Sequence, residues 1–126
     1  MLTISFEKAL KDELSKTIKS VFPLVAPEDS KPPYLVYVSS YGEKDQALEG
    51  YLKTKEIKCE LHIVTGTYAE LKSNTNSILD QLTTFQNTTI GDEKLYIYSL
   101  SYDKPIEIYE KGTYLYHCFF DITVRL

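Results

Sequence analysis

Two segments of this chain alternate apolar and polar residues so strictly that they fix both its structural class and the side of its sheet that is buried. Residues 54–65 place Ile57, Cys59, Leu61 and Ile63 on one face and Lys58, Glu60 and His62 on the other. In the closing stretch, residues 113–126, Tyr114, Tyr116, Cys118, Phe120, Ile122, Val124 and Leu126 alternate with His117, Phe119, Asp121, Thr123 and Arg125. A two-residue period is that of a strand with one face against a core and one solvated or in contact with a partner. A one-residue slip would turn every apolar side chain outward, so each pattern also sets its strand's register.

The other elements are placed around these two. From Phe6 to Phe22, Phe6, Ala9, Leu10, Leu14, Ile18 and Val21 recur at three- and four-residue steps, which predicts a helix with Ser5 capping its first turn. Pro23 and Pro27 end it, and a polar connection closes at Pro32-Pro33. Residues 34–41, rich in aromatic and β-branched side chains, read as a strand ending at Gly42. Residues 42–52 are polar, with glycine near both ends, and read as an exposed excursion. A second helix starts at Gly66-Thr67, with Tyr68, Leu71, Thr75, Ile78, Leu79, Leu82 and Phe85 on one face. Residues 94–102 read as a third strand, and Pro105 and Lys111-Gly112 mark irregular chain before the last. The expected order is α-β-β-α-β-β: an α+β domain spanning residues 1–126, with a mainly antiparallel four-stranded sheet and two helices packed on one face.

Composition excludes several function classes. With 126 residues, 43% hydrophobic and 25% charged, the chain has enough apolar mass for a core without disulfides or a metal. A net charge of −4 argues against nucleic acid as a primary ligand, because phosphate binding depends on clustered Lys and Arg. The first residues lack a basic segment followed by an apolar one, and no apolar run approaches ~18 residues, so neither secretion nor membrane insertion is expected.

Catalytic chemistry has no visible centre. No phosphate-binding glycine loop, dinucleotide fingerprint, nucleophile elbow or His-Glu-x-x-His motif occurs. Cys59 and Cys118 read as buried free thiols. His62 and His117 lie in mid-strand and read as polar-face side chains; convergence on adjacent strands, with Glu60 or Asp121 completing a metal site, is the alternative. No enzyme activity, cofactor or metal is therefore expected. The compositional oddity is eleven tyrosines with no tryptophan, six of them (Tyr96, Tyr98, Tyr102, Tyr109, Tyr114 and Tyr116) in the last third. They suit either a partner surface or packing at the edge of the core.

Residues 21–27, Val-Phe-Pro-Leu-Val-Ala-Pro, followed by Pro33-Tyr34-Leu35-Val36-Tyr37, resemble the tail-terminator (tail-completion) proteins of long-tailed bacteriophages. So do the helix start Thr67-Tyr68-Ala69-Glu70 and the final Tyr114-Leu115-Tyr116-His117-Cys118-Phe119-Phe120-Asp121-Ile122. The second strand departs from that family's Val-Gln-Val-Asp-like pattern, reading Lys55-Glu56-Ile57-Lys58-Cys59-Glu60-Leu61. The resemblance implies a homo-oligomeric ring, a hexamer, that caps the tail-tube protein and stops its polymerisation. It also implies a surface for the head-completion (connector) protein, a place at the head-proximal end of the tail in the virion, and the host cytoplasm during assembly. An alternative is a small adaptor or immunity-type binding domain. The contact residues expected are Tyr41, Glu43, Lys44, Asp45 and Tyr51 of the excursion, with Glu60 and His62 of the polar strand face.

Overall fold

The computed structural model describes residues 2–126, with side chains described for all of these except residues 2–5, 43 and 51–53. The elements run α1 (Leu2–Leu14), β1 (Val21–Pro23), β2 (Tyr34–Ser39), β3 (Glu43–Ala47), β4 (Gly50–Thr65), α2 (Tyr68–Thr83), β5 (Thr88–Ile90), β6 (Leu95–Ile97), β7 (Ser99–Tyr102), β8 (Ile106–Glu110) and β9 (Leu115–Arg125). The chain is α+β, but its main sheet has seven strands rather than four. The path is β1-β2-β4-β9-β7, with β3 also on β4 and β8 also on β9; β5 and β6 form a separate hairpin. All pairings are antiparallel except β1 with β2.

The two alternating segments are the centre of the sheet. β4 and β9 pair from Glu56↔Arg125 to Thr65↔Tyr116, so Ile57, Cys59, Leu61 and Ile63 share a face with Cys118, Phe120, Ile122 and Val124. All eight are buried, in one cluster with Phe6, Ala9, Leu10 and Leu14 of α1 and Leu71, Ile78 and Leu82 of α2. Both helices thus lie on one face, as the periodicities require. Each fully buried Leu or Ile in this layer contributes about 1.5–3 kcal/mol relative to exposure.

α1 ends at Leu14, well short of Phe22, and begins at Leu2, so Ser5 lies within it and is not its cap. Past Leu14 come Ser15, Thr17 and Ser20, whose hydroxyls compete with the helix for backbone hydrogen bonds. The Ser15 hydroxyl donates to the Lys11 carbonyl (2.6 Å), and the next amides tighten to three-residue bonds, Lys16 N–H to Glu13 O and Thr17 N–H to Leu14 O. Ile18 and Val21 still enter the core, Val21 from a parallel strand beside Leu35. The helical period there reported burial correctly and conformation wrongly.

α2 starts where its sequence signals it. Thr67 Oγ1 accepts the Glu70 amide at 3.2 Å and lies at the same distance from the Glu70 carboxylate, a Thr-x-x-Glu cap. Tyr68, expected on the apolar face, is exposed. Gln81 on the last turn joins the helices: its amide donates to the Glu13 carbonyl and its side-chain oxygen accepts from Thr17 (2.7 Å).

Residues 42–52 are not an irregular excursion. They build β3, a two-residue turn at Leu48 and Glu49, and the start of β4. The ribbon was disguised because it projects past the sheet, so neither face needs apolar residues, and its turn lacks an Asn-Gly signal. The strand expected over 94–102 divides into β6, paired with β5, and β7, paired with β9. The irregular chain expected after Pro105 contains β8, whose five residues are all exposed and which lies along β9 from Ile106↔Phe119 to Glu110↔Leu115.

Candidate interaction surface

Partner residues in an antiparallel pair project to the same face, so the registers read out the sheet side opposite the helices. One row across it is Val36, His62, Phe119 and Ile106, and the next is Tyr34, Val64, His117 and Ile108. Phe22, in register with Val36, extends it at the β1 edge, where its ring lies 6.2 Å from that of Tyr34. Exposure varies along these rows: Ile106 and Ile108 are 53% and 51% exposed, Tyr34, Val36, His62, His117 and Phe119 are half-buried, and Val64 is buried. The result is an apolar and aromatic band on the sheet face opposite the helices, exposed at its β8 end, a candidate contact surface. Below it the face turns acidic, with Glu60 and Asp121 in register and exposed.

Two histidines sit in the band. His62 and His117 occupy adjacent strands two positions out of register, which brings their rings to 5.0 Å between centroids and His62 Nε2 to 2.9 Å from His117 Nδ1. His117 Nε2 lies 3.2 Å from the Glu110 carboxylate, which also accepts from the Thr113 hydroxyl at 2.6 Å. If His117 carries its proton on Nε2 and donates to Glu110, its Nδ1 accepts from His62 Nε2–H, and every partner is satisfied. Burial, and then neighbouring His117, push the His62 imidazole below its ordinary value. The Thr113 hydroxyl and then His117 hold the Glu110 carboxyl below its own. Both histidines lie on the polar face, as expected, and adjacent strands also bring them together; the carboxylate beside them is Glu110, while Glu60 and Asp121 do not join them in a metal-binding cluster among the described residues.

The remaining anticipated contact residues divide between two places. Tyr41 and Lys44 are exposed near and on the β3–β4 ribbon, whereas the side chains of Glu43 and Tyr51 lie outside those described. Asp45 is engaged within the chain: it ion-pairs with Arg125, which also reaches Glu56 (3.2 Å), and it accepts from Thr54 (2.8 Å). These contacts fasten the ribbon's base to the end of β9. At its tip Leu48 is fully exposed. Sequence reasoning missed Ile106 and Ile108; the Ile-Glu-Ile alternation in residues 106–108 was the signal available.

Five of the six late tyrosines, Tyr96, Tyr98, Tyr102, Tyr109 and Tyr114, are exposed, and Tyr116 is partly buried. The rings of Tyr109, Tyr116 and Tyr68 pack in succession at tilted angles beside Leu71 and Ile108, lining a shallow apolar groove at the N-terminus of α2. Cys59 and Cys118 face the core, away from both histidines, and burial foremost pushes the Cys59 thiol up to about 12.

No protein-family model matches the chain, and no curated protein matches it. Among solved structures of similar fold is a chain of one described as "Virion of native gene transfer agent (GTA) particle". The correspondence has a TM-score of 0.66 at 10% sequence identity and covers 92% of this chain and 90% of that one. At that identity the likeness is one of fold.

Proposed function

We propose that this chain is a non-catalytic structural component of a phage-like virion, acting as a tail terminator: a ring that caps the tail tube, stops its polymerisation and provides the surface for head-tail joining. The observation that carries this reading is the nearly end-to-end fold correspondence with a chain of a gene transfer agent virion. The sequence resemblance in residues 21–37 and 114–122 points the same way.

Two separate surfaces support this reading. Head-to-tail closure requires two different, mutually complementary patches on each copy. The open band centred on Val36, His62, Phe119 and Ile106 is one patch. The projecting β3–β4 ribbon, with Leu48 at its tip, is a second on a different part of the molecule. In this reading six copies close through these patches, and the two rims of the ring meet the tail-tube protein and the head-completion protein.

Deleting the gene in its source phage or prophage and imaging induced particles by electron microscopy tests the reading. Overlong tails and unjoined heads are expected. Normal tails on normal heads would overturn it and leave the adaptor-type binding domain as the function to pursue.

A further inference from the structure

The histidine pair has a geometry that a contact surface alone does not require. His62 Nε2 and His117 Nδ1 point at each other across 2.9 Å. Both rings line one end of an open cavity of about 270 Å³, whose other walls include Leu24, Val25, Tyr34 and Val36. On the same sheet face lie Tyr34 from β2, Glu60 and Lys58 further along β4, Asp121 on β9 and Glu110 on β8. Of these, Glu110 is the one bonded to it.

We propose that His62 and His117 form a two-imidazole site for a late first-row divalent cation (Zn2+, Ni2+ or Cu2+), with water in the cavity completing the coordination and Glu110 as a positioning residue. Ligation through His62 Nε2 requires the His62 proton to move to its Nδ1 by exchange with solvent, so both imidazoles bind as neutral rings and no net proton is released. Metal-nitrogen bonds of about 2.0–2.1 Å at a tetrahedral angle set the nitrogens about 3.3 Å apart, about 0.4 Å wider than in the hydrogen-bonded pair, and both rings must also turn so that their lone pairs meet at a point off the line between them. Glu110, by accepting from His117 Nε2–H, holds the tautomer that leaves Nδ1 free to ligate, the usual carboxylate-histidine-metal arrangement. Among the described residues no set of three or more His, Cys, Asp and Glu side chains can hold a metal, so this is an open site of two protein ligands. Imidazole donors favour Cu2+ over its neighbours in the series and do not suit the hard cations Mg2+ and Ca2+.

Calorimetric titration of the untagged, metal-stripped protein with Cu2+, Ni2+, Zn2+ and Mg2+ tests this. Saturable one-to-one binding of the first three, tightest for Cu2+, and none of Mg2+ is expected. His62→Gln and His117→Gln each lower affinity by at least about tenfold, and Glu110→Ala lowers it by about tenfold without moving the thermal midpoint of the metal-free protein. A measurement on the unmutated chain guards against variants that fail to fold: in long-range nitrogen-proton NMR spectra, Zn2+ shifts His62 Nε2 and His117 Nδ1. Absence of saturable binding, equal affinity in the double histidine variant, or Zn2+ shifts that spare both nitrogens would overturn the proposal.

Discussion

Gly91 lies against Ala9: a Cβ added to the glycine would stand 2.7 Å from the Ala9 Cβ and 3.0 Å from its Cα. The turn between β5 and β6 therefore seats directly on the α1 backbone. Gly91 also has φ +75, a left-handed conformation that side chains disfavour, and its amide donates to the Glu13 carboxylate at 3.3 Å.

Gly91→Ala combines backbone strain with a clash against a helix that cannot retreat without opening the core. It is expected to cost about 1–3 kcal/mol, read as a lower midpoint in urea unfolding. An unchanged midpoint would mean that the turn and α1 are not packed this way.

Gln81 carries the polar link between the helices, meeting the Glu13 carbonyl and the Thr17 hydroxyl. Gln81→Ala leaves both without that partner and should lower stability by about 1–2 kcal/mol. Hydrogen exchange should rise first in residues 13–18. Uniform exchange along the chain would argue against a local link.

With its thiol pushed up to about 12 and its side chain in the core, Cys59 has almost no thiolate at pH 8. Iodoacetamide should leave Cys59 unmodified in the native protein and alkylate it in urea, as mass spectrometry of the peptide would report. Rapid native alkylation would place the residue at the surface.

The depressed His62 value makes stability depend on pH. The unfolded chain binds a proton near the ordinary 6.5 whereas the folded chain resists it, so the unfolded state holds more protons in that window. The His62 contribution is fully present above about pH 6.5 and is lost as pH falls through the lower folded value. In a metal-free, chelator-containing buffer, the thermal midpoint should fall between pH 7 and pH 5.5, and by less in His62→Gln. Equal falls in both proteins would assign the effect to carboxylates instead.

Ile106→Lys with Ile108→Lys changes two half-exposed side chains at one end of the open band. Surface changes of this kind are usually worth within about 0.5 kcal/mol to the monomer, so the fold should survive while self-association is lost. If the proposed ring closes through this band, sedimentation velocity should show an oligomer for the unmutated chain and a monomer for the variant. A ring formed equally by both would move the contact elsewhere.

The sequence by itself determined the features that depend on local period and local chemistry. α2 and its start at Gly66-Thr67 follow from a 3.6-residue stripe; the buried faces of β4 and β9 follow from strict alternation. Tertiary structure decided what runs alongside what. β4 and β9 each extend past any single partner, so their remaining edges recruit β3, β7 and β8, short segments that carry weak or no apolar alternation of their own. Val21 became a strand because Leu35 offered a parallel edge, although the sequence spacing read as helix. The histidine pair has the same origin. Alternation places His62 and His117 on the open face, but only the β4–β9 register, with His62 opposite Phe119, sets them on neighbouring diagonals within bonding distance. Side-chain period is written along the chain, whereas strand neighbours are chosen across it by backbone hydrogen bonding, which is nearly blind to sequence.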